Sequence, residues 1–113
     1  MHEISVMQSA MEIAIQHAQA QNAKQIHRVV MRVGTLAGVV PDSLMFAFDV
    51  VAQGTLAEGA TLEIETVQAL CVCGDCSAEF EPKDFFYQCP QCSSIKVTLK
   101  HGKELDLSYL EVS

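Results

Sequence analysis

Glu104-Leu105-Asp106-Leu107-Ser108-Tyr109 is the stretch on which the architecture turns. Leu105, Leu107 and Tyr109 alternate with Glu104, Asp106 and Ser108, the period-two pattern of a strand with one face buried. A segment this apolar does not end a chain as a free tail, so it must join a sheet built from residues far upstream. Two such partners exist. Between Gln25 and Val33, the side chains of His27, Val29, Met31 and Val33 share one face and Arg28 and Arg32 the other. Leu62, Ile64 and Thr66 oppose Glu63 and Glu65 in the second.

Helices fill the gaps. Met7, Met11, Ala14 and Ala18 recur at three- and four-residue steps, and Ser5 stands three residues before Gln8 in capping-box spacing. In the second helix Pro41 suits the first turn, Asp42 favours the positive end of the dipole, and Gly54 supplies a left-handed stop. Its core stripe is Leu44, Ala47, Phe48 and Val51. The expected fold is therefore α+β: a small sheet of about three strands with two helices packed on it, plus an inserted zinc-ribbon-like module. Residues 1–68 and 103–113 make the α+β domain. The insertion spans 69–102, hinged near Ala69 and near His101–Gly102, and carries a short strand from Ile95 to Leu99.

All five cysteines fall in that insertion. Cys73-Gly-Asp-Cys76 and Cys89-Pro-Gln-Cys92 are two CxxC pairs with twelve residues between them. Each such turn presents two thiolates about a tetrahedral edge apart, and two turns close a four-sulfur cage suited to structural Zn(II). A cage filled by protein sulfur leaves no position for a water nucleophile. Cys71 pairs less well than Cys73 and reads as a spare, buried thiol. Zinc sites rather than disulfides suit a reducing cytoplasm, the setting expected for a chain with no signal-peptide pattern and no apolar run long enough for a membrane span.

Composition narrows the function classes. The 113 residues include 7 Lys and Arg against 14 Asp and Glu, a net charge of −7. Phe85, Phe86 and Tyr87 could stack on bases, yet Lys83 is their one cation, with Glu79, Glu81 and Asp84 nearby. That surface repels phosphate, which argues against a nucleic-acid module. No phosphate-cradling loop, nucleophile elbow or dinucleotide fingerprint is present, so no enzyme is expected. A dithiol oxidoreductase and a zinc-stabilised adaptor remain as rival readings. At the other end, the amine of Met1, the amide and imidazole of His2 and the carboxylate of Glu3 could hold one metal in a tetragonal N,O set, which suits Ni(II). His17 and His27 lie near apolar faces and read as structural, and His101 as a loop residue.

With Met-His-Glu opening the chain, a helix next, a strand running into Val33-Gly34 and the late double CxxC, the whole sequence resembles the HypA/HybF family of nickel metallochaperones. The resemblance implies Ni(II) bound transiently by Met1, His2 and Glu3, and Zn(II) held by Cys73, Cys76, Cys89 and Cys92. It also implies work with the GTPase HypB and a hydrogenase large subunit during [NiFe]-hydrogenase maturation, as a monomer or weak homodimer. Some relatives serve urease maturation proteins as well. Asp42 is the nearest match to an acidic residue that relatives place near the nickel. Where some relatives carry His beside the zinc cysteines, this chain has Ser77 and Ser93.

Overall fold

The structure, a computed structural model, describes residues 3–83 and 86–113. Helix α1 (Glu3–Ala20) leads into strand β1 (Ile26–Gly34), helix α2 (Pro41–Ala52) and strand β2 (Thr61–Val67). Strands β3 (Leu70–Cys73), β4 (Glu79–Phe80) and β5 (Val97–His101) follow, and β6 (Leu105–Val112) closes the chain. β6 does return to the upstream strands. The first sheet has the order β2-β1-β6, with β1 parallel to β2 and antiparallel to β6, and the second has the order β4-β3-β5. Parallel neighbours cannot be joined by a tight turn, and α2 is the crossover that joins β1 to β2. The molecule is elongated, 55 × 25 × 16 Å.

The core lies between the helices and one face of the first sheet. Met7, Met11, Ala14 and Ala18 of α1 and Leu44, Ala47, Phe48 and Ala52 of α2 pack there on Ile26, Val29, Met31, Val33 and Leu62. Full burial of each large apolar side chain contributes about 1.5–3 kcal/mol. As the middle strand, β1 is flanked on both edges, and Val30, outside the helix-facing core, is as buried as its core-facing neighbours. Over Val30, Arg28 donates to Glu63, to the Tyr109 hydroxyl at 2.6 Å and to Glu111 at 3.2 Å.

Two bulges correct the simple alternation. Ile26 pairs with Val112 and Arg28 with Glu111, so His27 is an extra residue on β1. It leaves the apolar face, stays exposed and shares a hydrogen with Ser113 Oγ at 2.7 Å, while Ile26 takes the core position. On β6 the extra residue is Ser108, because Val30 pairs with Tyr109 and Met31 with Leu107. Beyond it Leu110, not Tyr109, packs against the core, and Tyr109 turns outward under Arg28. Two smaller corrections concern ends. α1 already begins at Glu3, which places Ser5 inside its first turn rather than at a cap, and the strand expected at 95–99 runs from Val97 to His101. His17 is exposed on α1.

The connections on either side of the second sheet are tied to the turn that follows β1. Leu36 N–H donates to Gly102 O at 2.7 Å and Gly34 N–H to Glu104 O at 2.7 Å. Thr35 N–H reaches Val67 O at 3.0 Å, and the Thr35 hydroxyl accepts Ala69 N–H at 3.1 Å. The segments expected to act as hinges are thus tied down, at Gly102 by a backbone bond and at Ala69 by the Thr35 hydroxyl.

The Glu104 carboxylate adds to them. It accepts Gly102 N–H at 2.8 Å and lies 3.7 Å from His101 Nδ1. The Gly102 amide, then its own amide, His101 and Arg32, hold Glu104 below the usual carboxylate range against the opposing effect of burial. A lowered folded-state value means stability that is present above the ordinary Glu range and lost as pH falls through the folded value. Glu104→Gln keeps an oxygen for Gly102 but not the charge. It is expected to melt below the parent at neutral pH and level with it in acid; a deficit independent of pH would refute the charge argument.

Candidate metal centres

Four thiols converge where the second sheet ends. The sulfurs of Cys73, Cys76, Cys89 and Cys92 all lie within 4.8 Å of one another. Cys73 Sγ is 3.5 Å from Cys92 Sγ, and Cys76 Sγ is 3.6 Å from Cys89 Sγ. A tetrahedral Zn–S cage with bonds of about 2.3 Å requires sulfurs about 3.8 Å apart, so the donor set fits zinc with little movement. Cys73 and Cys89 are buried and Cys76 and Cys92 exposed, so each turn contributes one thiol of each kind.

Backbone amides make the buried thiols acidic. The amides of Cys76 and Asp75 pull Cys73 down to about 6, and those of Cys92 and Gln91 lower Cys89. At Cys92 the Ser94 amide also pulls downward, but the Cys73 thiol, burial and the other two thiols outweigh it and push the group up to about 12. Cys76 is likewise raised, the pull of the Ala78 amide being outweighed by the Cys89 thiol and burial. Four thiolates this close repel one another strongly unless a cation stands between them, and a divalent metal is what allows all four to ionise. Cys71 is fully buried outside the cluster, paired with Phe80 and Leu99 across the sheet, and burial raises its thiol.

The N-terminal end presents different chemistry. Met1 and His2 lie outside the described residues, as do Asp84 and Phe85. Glu3 is described: its Oε2 accepts the Val40 N–H at 3.2 Å. Val40 is the N-cap of α2 and a poor one, with no side-chain cap of its own. The Glu3 carboxylate takes Val40's own N–H rather than those of the first turn, and it stands at the positive end of that helix's dipole. An open cleft beside it is lined by Glu3, Ile4, Ser5, Asp42, Ser43 and Phe46. Two carboxylates from distant parts of the chain therefore flank one cleft next to the N-terminus. Phe46 was missed in the sequence. Its signal was being off the Leu44–Ala47–Phe48 stripe, which forces a large aromatic onto the solvent face, where it is 68% exposed.

The chain as a whole is similar to known proteins. A family model described as hydrogenase/urease nickel incorporation metallochaperone, HypA, matches residues 1–112. The chain belongs to the HypA family. It is 49% identical over 112 residues to the hydrogenase maturation factor HypA of Picosynechococcus sp., covering 99% of both chains. Its identity to the HypA of Acidithiobacillus ferrooxidans is 43%, again over 99% of both. The solution structure of the Ni metallochaperone HypA from Helicobacter pylori superposes with a TM-score of 0.71 at 32% identity, over 99% of this chain and 97% of that one. A second HypA solution structure gives 0.74 at 30% identity, over 99% and 96%. HypA is a metallochaperone and maturation factor rather than an enzyme. No helix among the described residues is long and apolar enough to cross a membrane.

Proposed function

We propose that this HypA-family chain carries Ni(II) at its N-terminus, on the Met1 amine, the amide and imidazole of His2 and the Glu3 carboxylate. It delivers that nickel during maturation of [NiFe]-hydrogenase. Cys73, Cys76, Cys89 and Cys92 hold a structural Zn(II). The observation that carries this reading is the separation of two kinds of donor. Thiols crowd into a cage with no position to spare, while Glu3 and Asp42 flank an open cleft where a metal can enter and leave. Asp42, exposed on the first turn of α2, stands where it can contribute a carboxylate.

Residues 1–68 with 103–113 form the nickel-binding unit and 69–102 the zinc-binding unit. Cytoplasmic partners follow from the same reading: the GTPase HypB and a hydrogenase large subunit. Delivery proceeds by ligand substitution when a partner presents competing donors to an incompletely enclosed site. Amine and imidazole must both lose protons to bind, so nickel affinity falls with pH.

Titration of the zinc-loaded protein with Ni(II) tests the assignment. One nickel per chain is expected, lost in His2→Ala and on adding residues before Met1, with zinc retained throughout. Equal nickel uptake by His2→Ala, or nickel that binds by displacing zinc, would overturn it.

A further inference from the structure

The two cysteine turns are near-copies in backbone detail. The amide of the first cysteine donates to the carbonyl five residues on, Cys73 N–H to Ala78 O and Cys89 N–H to Ser94 O, each at 2.9 Å. In the reverse direction, Ser77 N–H donates to Cys73 O at 3.0 Å and Ser93 N–H to Cys89 O at 2.9 Å. Ser77 and Ser93 both sit in left-handed backbone, at φ 62° and 63°. Asp75 N–H reaches Cys73 Sγ and Gln91 N–H reaches Cys89 Sγ, both at 3.4 Å.

The side chain five residues on from the first cysteine differs, Ala78 in the first turn and Ser94 in the second. The Ser94 hydroxyl accepts Lys96 N–H at 3.0 Å. That occupies a lone pair and leaves its one hydrogen to point at Asp75 Oδ2, 2.5 Å away. Beside it, Gly74 N–H donates to Lys96 O at 2.6 Å. Ser94 thus holds the second turn through its carbonyl and the first through its hydroxyl. Asp75 in turn carries the connection to the Cys73 sulfur through its own amide. The route joins sulfurs from the two turns without passing through a metal.

We infer that Asp75 and Ser94 are positioning residues that strap the two cysteine turns together and slow the loss of the metal between them. The inference rests on reading the four sulfurs as a zinc site, and it makes that zinc a resident rather than a cargo. Neither side chain is a ligand. Opening the cage requires the turns to separate, and separation breaks a charge-assisted hydrogen bond in a crowded anionic cluster.

The test is zinc transfer from the full chain to a chromophoric chelator. Ser94→Ala and Asp75→Ala should each release zinc about tenfold faster than the parent, the scale of one charge-assisted bond lost at the barrier. The double variant should be no faster than either single one, since each removes the same strap. Ser94→Thr keeps the hydroxyl and should release at the parental rate, and Asp75→Asn, which keeps an oxygen acceptor, should fall between. Co(II)-loaded variants should retain the absorption of a tetrahedral four-thiolate site, which separates a loosened strap from a lost ligand. Release from Ser94→Ala within roughly twofold of the parent, or single effects that multiply in the double variant, would sink the strap while zinc binding stands. A chain that takes up no zinc would remove the reading beneath it.

Discussion

Chelating the metal, or replacing Cys89 by Ala, is expected to unfold residues 70–101 while α1, α2 and the first sheet stay folded. Among the described residues of that segment the fully buried ones are Cys71, Cys73 and Cys89, and none belongs to the main apolar core. Strands of four, two and five residues make a sheet too small to stand without a staple. Coordination by four thiolates supplies about 10–16 kcal/mol in modules of this kind, more than such a sheet can replace. Amide NMR gives the readout. On adding a chelator, the signals of Val72, Thr98 and Leu99 should collapse to unfolded positions, while those of Met11, Met31 and Phe48 remain dispersed. Cys71→Ser is the contrast, since its sulfur is outside the cage and the variant should keep its zinc. Retained dispersion across β3 and β5 in the metal-free protein would mean that packing, not metal, holds the segment.

Gly34→Ala is expected to be the most damaging small substitution in the α+β unit. A Cβ there would stand 2.1 Å from Gly102 O and 2.2 Å from Gly102 C, both backbone atoms that no rotamer change can move. Relief requires pulling the two crossing chains apart, which strains Leu36 N–H to Gly102 O and Gly34 N–H to Glu104 O together. The cost should reach about 3 kcal/mol, the upper end for overpacking, read as a lowered urea midpoint with unchanged slope. Gly38→Ala separates crowding from conformation. Gly38 has φ +80° with nothing within 4 Å of a new Cβ, so only left-handed backbone opposes the change, at about 1–2 kcal/mol. Equal losses at the two sites would show that the crossing at Gly34 is not crowded.

The elements were legible where a single neighbour layer decides burial. The α1 stripe Met7–Met11–Ala14–Ala18 is buried throughout, because that helix has one face on the core. β1 was less legible, since Val30, flanked by Glu63 and Tyr109 on the neighbouring strands, is buried against the alternation. His27 and Tyr109 went to the wrong face for a related reason. A bulge adds one residue to one strand, and its place depends on the partner's register rather than on local pattern. Asp42 and Glu3 are 39 positions apart, and only the packing of one helix N-terminus against another puts them on one cleft.

By itself, then, the sequence determined the two helices, the strands of the first sheet, the return of the last strand and the four-cysteine cage, but not β3 and β4 of the second sheet. A CxxC turn is local, and two sulfurs held by a few backbone bonds need little tertiary help to face one another. Tertiary structure alone decided the bulges, the Gly34–Gly102 crossing, the cleft between helix ends and the bond from Ser94 to Asp75. Each of these depends on which backbone atoms meet across the chain, and residue type constrains such meetings only weakly.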